Sequence, residues 1–384
     1  MTRFPIHRKT VVALIVGAMV GCAYADDRDF DRLKLRAGLT RSEDNNYLRA
    51  PESKAVADKI DSQTLDLNVV LPYGQQRLEL EANFFTSQHQ TLTQFDFSGK
   101  NYSAAWRWSL TPKLLGVLAT KHTEMLNSTA DSIDPTLRNK NVADLDTLTV
   151  GYLLGGPWQL FTDYSKSSSV NEQALLGTTD IHYQSVTIGA SYAPSVGNTL
   201  SYTRRLDTGT SISDYSGNGH ALTATYALNS STSLKARIGY LEQRFAIDRK
   251  YDFSGFNGGI EGTWHITGKT SIVGGWQRDL MSFQSQDSTY ARIDTFSIAP
   301  SWQIKPTLSV GLQFKQAVRE SLGNLNGSVN TRQDRTRDTV WTIQWQPRSY
   351  ISLRGSFAQL SRTSNVVDQD FFAHVVMFGV QFIF

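Results

Sequence analysis

Along most of the chain, apolar side chains recur at every second position. Leu65, Leu67, Val69 and Leu71 form one series; Leu78, Leu80, Ala82 and Phe84 form the next; Tyr102, Ala104, Trp106 and Trp108 follow. The same alternation runs over 33–39, 115–119, 148–154, 186–192, 222–228, 234–240, 308–314, 341–345 and 372–384. Successive strand residues point to opposite faces, so a period of two predicts strands with one apolar and one polar face. The connections alternate as well. Tight turns rich in Gly, Pro and Asn fall at 72–74, 111–113, 155–157, 194–198, 229–231, 267–269, 305–307 and 346–348. Longer polar stretches fall at 43–61, 89–99, 125–143, 169–180, 207–217, 246–252, 281–290, 319–334 and 362–369. Eight short and nine long connections predict about eighteen strands, with both chain ends on the short-turn side. The expectation is an all-β, transmembrane antiparallel β-barrel in a Gram-negative outer membrane, with short periplasmic turns and longer extracellular loops.

A large soluble β-protein, a propeller or sandwich, is the competing fold, and two features weigh against it. The eight tryptophans all fall on the apolar parity of their strands. Trp106, Trp108, Trp158, Trp264, Trp302 and Trp345 lie close to predicted tight turns, as an aromatic girdle at a membrane interface requires. The second feature is the end of the chain. Phe372, His374, Val376, Phe378, Val380, Phe382 and Phe384 alternate to the last residue, which resembles the assembly signature of outer-membrane barrels.

The start of the chain changes the charge. Arg3, Arg8 and Lys9 precede an apolar run over 11–20, and Ala23-Tyr24-Ala25 precedes Asp26-Asp27. These are the parts of a secretory signal, predicted to span 1–25 with cleavage after Ala25, which leaves 26–384 as the barrel. The chain has 38 Lys+Arg against 35 Asp+Glu, and losing three basic residues leaves none in excess, so nothing points to a nucleic-acid partner. The single cysteine, Cys22, is expected to leave with the signal; lipidation at Met19-Val20-Gly21-Cys22 is the other reading. No disulfide, thiol nucleophile or cofactor is expected.

The polar parity is predicted to line the lumen. Its candidate residues are Arg36, Arg77, Glu79, Glu81, Arg107, Arg205, Arg237, Glu261, Lys315 and Arg354. Charged side chains are too costly to face lipid at mid-depth, so this face implies water or ion pairing inside. A wet conduit for neutral or anionic solutes and a plugged lumen both fit. The loop at 125–143 separates them, because folded inward it would constrict a pore. Loop aromatics Tyr47, Phe95, Phe97, Tyr215, Tyr251, Phe253, Phe283 and Tyr290 suit either sugar stacking at the mouth or an outer girdle. Catalysis has little support. The histidines form no metal-binding helical pair, and what stays open is an acid/base dyad assembled across neighbouring strands, for example His122 with a loop carboxylate.

The stretch 101–114, Asn-Tyr-Ser-Ala-Ala-Trp-Arg-Trp-Ser-Leu-Thr-Pro-Lys-Leu, resembles EpsL-type proteins, outer-membrane barrels encoded with exopolysaccharide biosynthesis genes. Phe95-Asp96-Phe97, Leu126-Asn127-Ser128 and Arg138-Asn139 extend the resemblance over 95–140. It implies passage of an extracellular polysaccharide across the outer membrane, with periplasmic secretion partners, and it brings no site residues. The expectation is therefore a hydrophilic conduit in polysaccharide export. A general or sugar-selective diffusion porin and a plugged structural or adhesive barrel are the alternatives.

Overall fold

A computed structural model describes residues 33–132, 134–173, 180–211, 213–285, 288–324 and 332–384. The predicted signal, with Ala25 and Cys22, lies outside the described residues. The strands are β1 (Leu33–Asp44), β2 (Asp58–Tyr73), β3 (Gln76–His89), β4 (Phe97–Thr111), β5 (Leu114–Leu126) and β6 (Lys140–Gly155). They continue as β7 (Trp158–Asn171), β8 (Ile181–Ser195), β9 (Asn198–Thr210), β10 (Asp214–Asn229), β11 (Thr232–Phe245) and β12 (Phe253–Thr267). The last six are β13 (Thr270–Ser285), β14 (Ser288–Lys305), β15 (Leu308–Asn324), β16 (Gln333–Arg348), β17 (Ile351–Ser364) and β18 (Phe371–Ile383). Each strand pairs antiparallel with its neighbours in sequence, and β1 pairs with β18, so the described sheet is a closed eighteen-stranded barrel. Closure leaves no edge, the condition for a sheet to survive in lipid.

The seam shows how the chain end contributes. The Phe384 N–H donates to the Leu35 carbonyl at 2.8 Å, beside nine register pairs between β1 and β18. At the short-turn end, Gly74, Gly156 and Gly197 take φ of 58°, 57° and 83°, a region that favours glycine. Two other turns are built on threonine: Thr111 Oγ1 accepts from the N–H groups of Lys113 and Leu114, and Thr267 Oγ1 accepts from those of Lys269 and Thr270.

The register carries the apolar rows round the outside. Leu78 lies opposite Trp106, Trp106 opposite Leu118, and Leu118 opposite Leu148. Trp106, Leu118 and Leu148 are exposed and Leu78 is half-buried, so the barrel is apolar outward and polar inward. Several connections are shorter than the sequence pattern predicts. The 207–217 stretch is mostly strand, with β9 ending at Thr210 and β10 starting at Asp214, and β13 and β14 run well into 281–290. Above the lipid belt both faces of a strand meet water. The ladder then continues without an apolar alternation to mark it.

Candidate functional site: the lumen and its mouth

All ten candidate lumen residues lie on the face opposite the exposed apolar rows. Arg77 and Arg107 are register neighbours, and Glu79 lies between them: Arg107 Nε donates to both Glu79 carboxylate oxygens at 3.1 Å, and Arg77 Nη2 reaches Glu79 Oε1 at 2.5 Å. Higher on the same wall, Asn68 donates to Glu81 at 3.1 Å and Asn83 to Asp66 at 2.6 Å. Arg36 is paired in register with Asp66, Lys235 with Glu261, Lys315 with Asp338, and Arg354 with Gln344. Arg205 reaches Asp207 at 3.4 Å and stacks over the Tyr183 ring at 5.6 Å. Arg237 lies opposite Gly259 in register, on the same inner parity as Lys235 and Glu261. The inner wall therefore carries both signs at cross-strand distance, separated by hydroxyls such as Ser165 and Ser185, whose oxygens are 2.8 Å apart.

The six girdle tryptophans share the outer face at the short-turn end. Trp106, Trp158, Trp264, Trp302 and Trp345 are about half exposed, and the Trp106 indole donates to Gln76 at 3.0 Å. Trp108 is held differently. A Cβ at Gly116 would sit 2.2 Å from its Cζ2, so the indole lies flat over a glycine notch on β5.

The loop between β5 and β6 decides the shape of the mouth. Round the closed sheet, β15 lies nine strands from β6 in either direction. Yet Asp131, in the Thr129–Asp131 turn of helix, reaches that far wall. Arg319 of β15 donates to it in bidentate fashion, Nη1 to Oδ2 at 2.8 Å and Nη2 to Oδ1 at 2.9 Å. Arg362 of β17 adds a bond at 2.8 Å and Arg332 one at 3.4 Å. Asp334 accepts from Arg319 and Arg332 beneath it. The three guanidinium groups hold the Asp131 carboxyl well below the usual carboxylate range, outweighing the upward push of burial. The loop thus crosses the mouth rather than standing away from it.

Its near end is packed. Leu48, Leu92 and Phe95 form a buried cluster with Tyr47 and Leu126, and Thr129 donates to the Tyr47 carbonyl at 3.2 Å. Burial there pushes the Tyr47 hydroxyl up to about 12. Below it, His89 and Asp58 are buried together at 2.8 Å, and the Asp58 carboxylate accepts from the N–H groups of Thr91 and Leu92. The loop aromatics therefore depart from both readings of them. Phe95, Phe97 and Phe253 are buried, and Phe253 stacks on Tyr290 at 4.9 Å. Tyr215 and Tyr251 pack against the Leu241–Phe245–Phe253–Leu280 cluster. They bind strands and loops to one another; no signal in one strand could announce a partner from another. The side chain of Phe283 lies outside the described residues. His122 points outward, stacked on Tyr102 at 4.7 Å, with its ring nitrogens on Asp144 (2.7 Å) and Glu124 (3.3 Å). It forms a hydrogen-bonded group on the outer face, away from the lumen. The sequence reading missed Arg319, Arg332, Asp334, Arg362 and Asp131; their convergence depends on tertiary closure.

Solved structures share this architecture. OpdK of Pseudomonas aeruginosa with vanillate is 12% identical and matches with a TM-score of 0.52 over 92% of this chain and 100% of that one. OccK2 (OpdF) in complex with glucuronate is 11% identical, with a TM-score of 0.54 over 91% and 97%. OpdO of Pseudomonas aeruginosa is 12% identical, with a TM-score of 0.53 over 91% and 96%. At such identities the likeness concerns the fold alone. No curated protein matches the sequence. The family model described as "Putative beta-barrel porin 2" matches residues 182–384, more than half of the chain. An eighteen-stranded closed barrel, apolar outward and polar inward, together with that match, makes this chain a porin-like outer-membrane β-barrel of the Putative beta-barrel porin 2 family.

Proposed function

We propose that the protein is a selective diffusion porin for small hydrophilic solutes, neutral or singly anionic, and that it conducts no long polymer. The observation that carries this reading is the β5–β6 loop, drawn across the mouth and fastened by Asp131 to Arg319 and Arg362. A polymer exporter needs a continuous wide path, whereas a crossing loop makes an eyelet that sorts solutes by size. The EpsL-like stretch 95–140 contains this same loop, so the segment that suggests polysaccharide export also narrows the passage. The paired inner wall, with Glu79 between Arg77 and Arg107, offers hydrogen bonds of both polarities without concentrating ions of one sign. Sugars and sugar acids match such a wall, and structural neighbours with glucuronate and with vanillate fit the same picture.

The test is reconstitution of the mature chain in a planar bilayer and in swelling liposomes. The expected result is a steady conductance, with swelling rates that fall from monosaccharides and sugar acids to trisaccharides and vanish for polymer. Absence of conductance and swelling with the smallest solutes would overturn the reading in favour of a plugged barrel.

A further inference from the structure

Lower down, every strand is paired on both sides, but two neighbouring pairs part near the long-loop end. β4 and β5 part above Tyr102–His122, and there side chains bridge the gap: the Lys100 N–H donates to Glu124 at 3.2 Å and the Glu124 N–H to Asn101 at 2.9 Å. β12 and β13 part above Gly258–Arg278, although β12 starts at Phe253 and β13 runs on to Ser285. Gly258 makes this fork. Its φ is 154°, and a Cβ there would lie 2.2 Å from the Arg237 carbonyl oxygen. From Thr267 at the short turn up to Gly258 the strand climbs about 23 Å along the barrel axis, for a tilt of about 40°, so the fork opens at the top of the apolar band.

The two leaves above the fork overlap. Leu280 and Tyr290 share the outward parity of Trp276 and Phe296, whereas Leu241 and Phe253 share the inward parity of Arg237 and Gly259. Yet Leu280 packs with Leu241, Phe245 and Phe253, and Phe253 stacks on Tyr290 at 4.9 Å. The outward face of β13–β14 therefore lies against the inward face of β11–β12, and the wall is lapped here instead of laddered. A path through the lap joint runs from the outer surface at the β12 edge to the lumen at the β13 edge. Apolar and aromatic contacts close it. The ion pairs nearby stay within one leaf, Arg244–Glu242 on β11 and Arg278–Asp294 on β13–β14. The leaves can part without breaking a ladder bond between them.

We infer that this joint is a lateral portal, through which a single-chain amphiphile passes between the outer leaflet and the lumen. It is a second route, beyond the diffusion of hydrophilic solutes. The polarity along the path fits such a molecule. At the outer lip stand the exposed aromatics Phe256 and Trp276. The middle is the apolar contact of Leu280 with Phe253. At the inner lip Asn257 Oδ1 is buried without a hydrogen-bond partner, near the polar lumen pair Lys235 and Glu261. An unpartnered acceptor there suits a head that donates, such as a hydroxyl. The free edge of β12, Phe253–Asn257, is about 17 Å long, so a slot between strand edges takes an extended chain and not a bulky ring system.

The test uses cells carrying the full chain in their outer membrane, with radiolabelled dodecanol as probe. The expected initial uptake rate is about threefold that of cells without the protein. G255C/L280C puts a cysteine on each leaf, at a point where a Cβ at Gly255 lies 2.8 Å from a Leu280 methyl carbon. Oxidation should return dodecanol uptake to background, and reduction should restore it. Liposome swelling with sugars should be the same in both states. F253A/Y290A, which empties the joint, should raise dodecanol uptake about threefold over the wild type. A heat-dependent gel shift shows that each variant is folded, and mobility without reductant shows that the staple is closed. Unchanged dodecanol uptake in the closed staple, or in F253A/Y290A, would overturn the portal. Loss of sugar swelling with dodecanol uptake intact would instead count against the diffusion porin and leave the portal standing.

Discussion

Replacing Asp131 with Asn should release the loop that crosses the mouth. The carboxylate accepts four bonds from Arg319, Arg332 and Arg362. It is 38% exposed, so water screens the pairs and each bond is worth less than a buried one. At about 1 kcal/mol net for each of the three arginine partners, the latch contributes about 3 kcal/mol, or roughly 150-fold in the ratio of docked to released loop. Asn keeps the shape and can accept some bonds, but it leaves three cations facing Asp334 alone, and their mutual repulsion adds to the loss. Barrel stability should hardly change, because the ladders of β5, β6 and β15 do not involve the side chain. The assay is single-channel conductance of D131N beside the wild type in one salt solution, with the gel shift as a folding control. The expected trace has a higher conductance or frequent steps between two levels. An unchanged conductance and unchanged size cut-off in a folded D131N barrel would refute the view that this loop defines the eyelet.

Three further outcomes follow from the same geometry. The Asp131 carboxyl is depressed in the folded state, so its contribution to docking is complete above the ordinary carboxylate value and is lost only as pH falls through the lowered one; conductance should therefore stay flat from pH 8 to 4 and rise only in stronger acid, whereas opening already near pH 5 would contradict the pairing. Glu79→Gln should move the reversal potential in a salt gradient toward anion selectivity, since Arg77 and Arg107 lose the carboxylate between them; no movement would mean that this wall does not face the ion path. Gly116→Val should destabilise the barrel by about 1–3 kcal/mol, because its Cβ would collide with the Trp108 ring and come within 2.6 Å of the Thr149 carbonyl oxygen; an unaltered urea midpoint in lipid would refute that packing.

The sequence by itself determined the barrel. Lipid on one side and polar groups on the other impose a period of two on each strand, and turn chemistry punctuates it, so strand number, parity and the shared side of the chain ends are all local information. The placement of Arg77, Glu79 and Arg107 on the inner face and of Trp158 and Trp264 on the outer one is legible for the same reason. Strand ends were not legible, as 207–217 and 281–290 show, because above the belt the ladder persists without lipid to write an alternation. Only the tertiary structure decided the mouth. Asp131 meets Arg319 and Arg362 across 188 and 231 residues of chain, and Phe253 meets Tyr290 across a gap between strands. Periodicity is set by each residue's own solvent, whereas these contacts are set by closure of the sheet, which brings together side chains that share no local pattern.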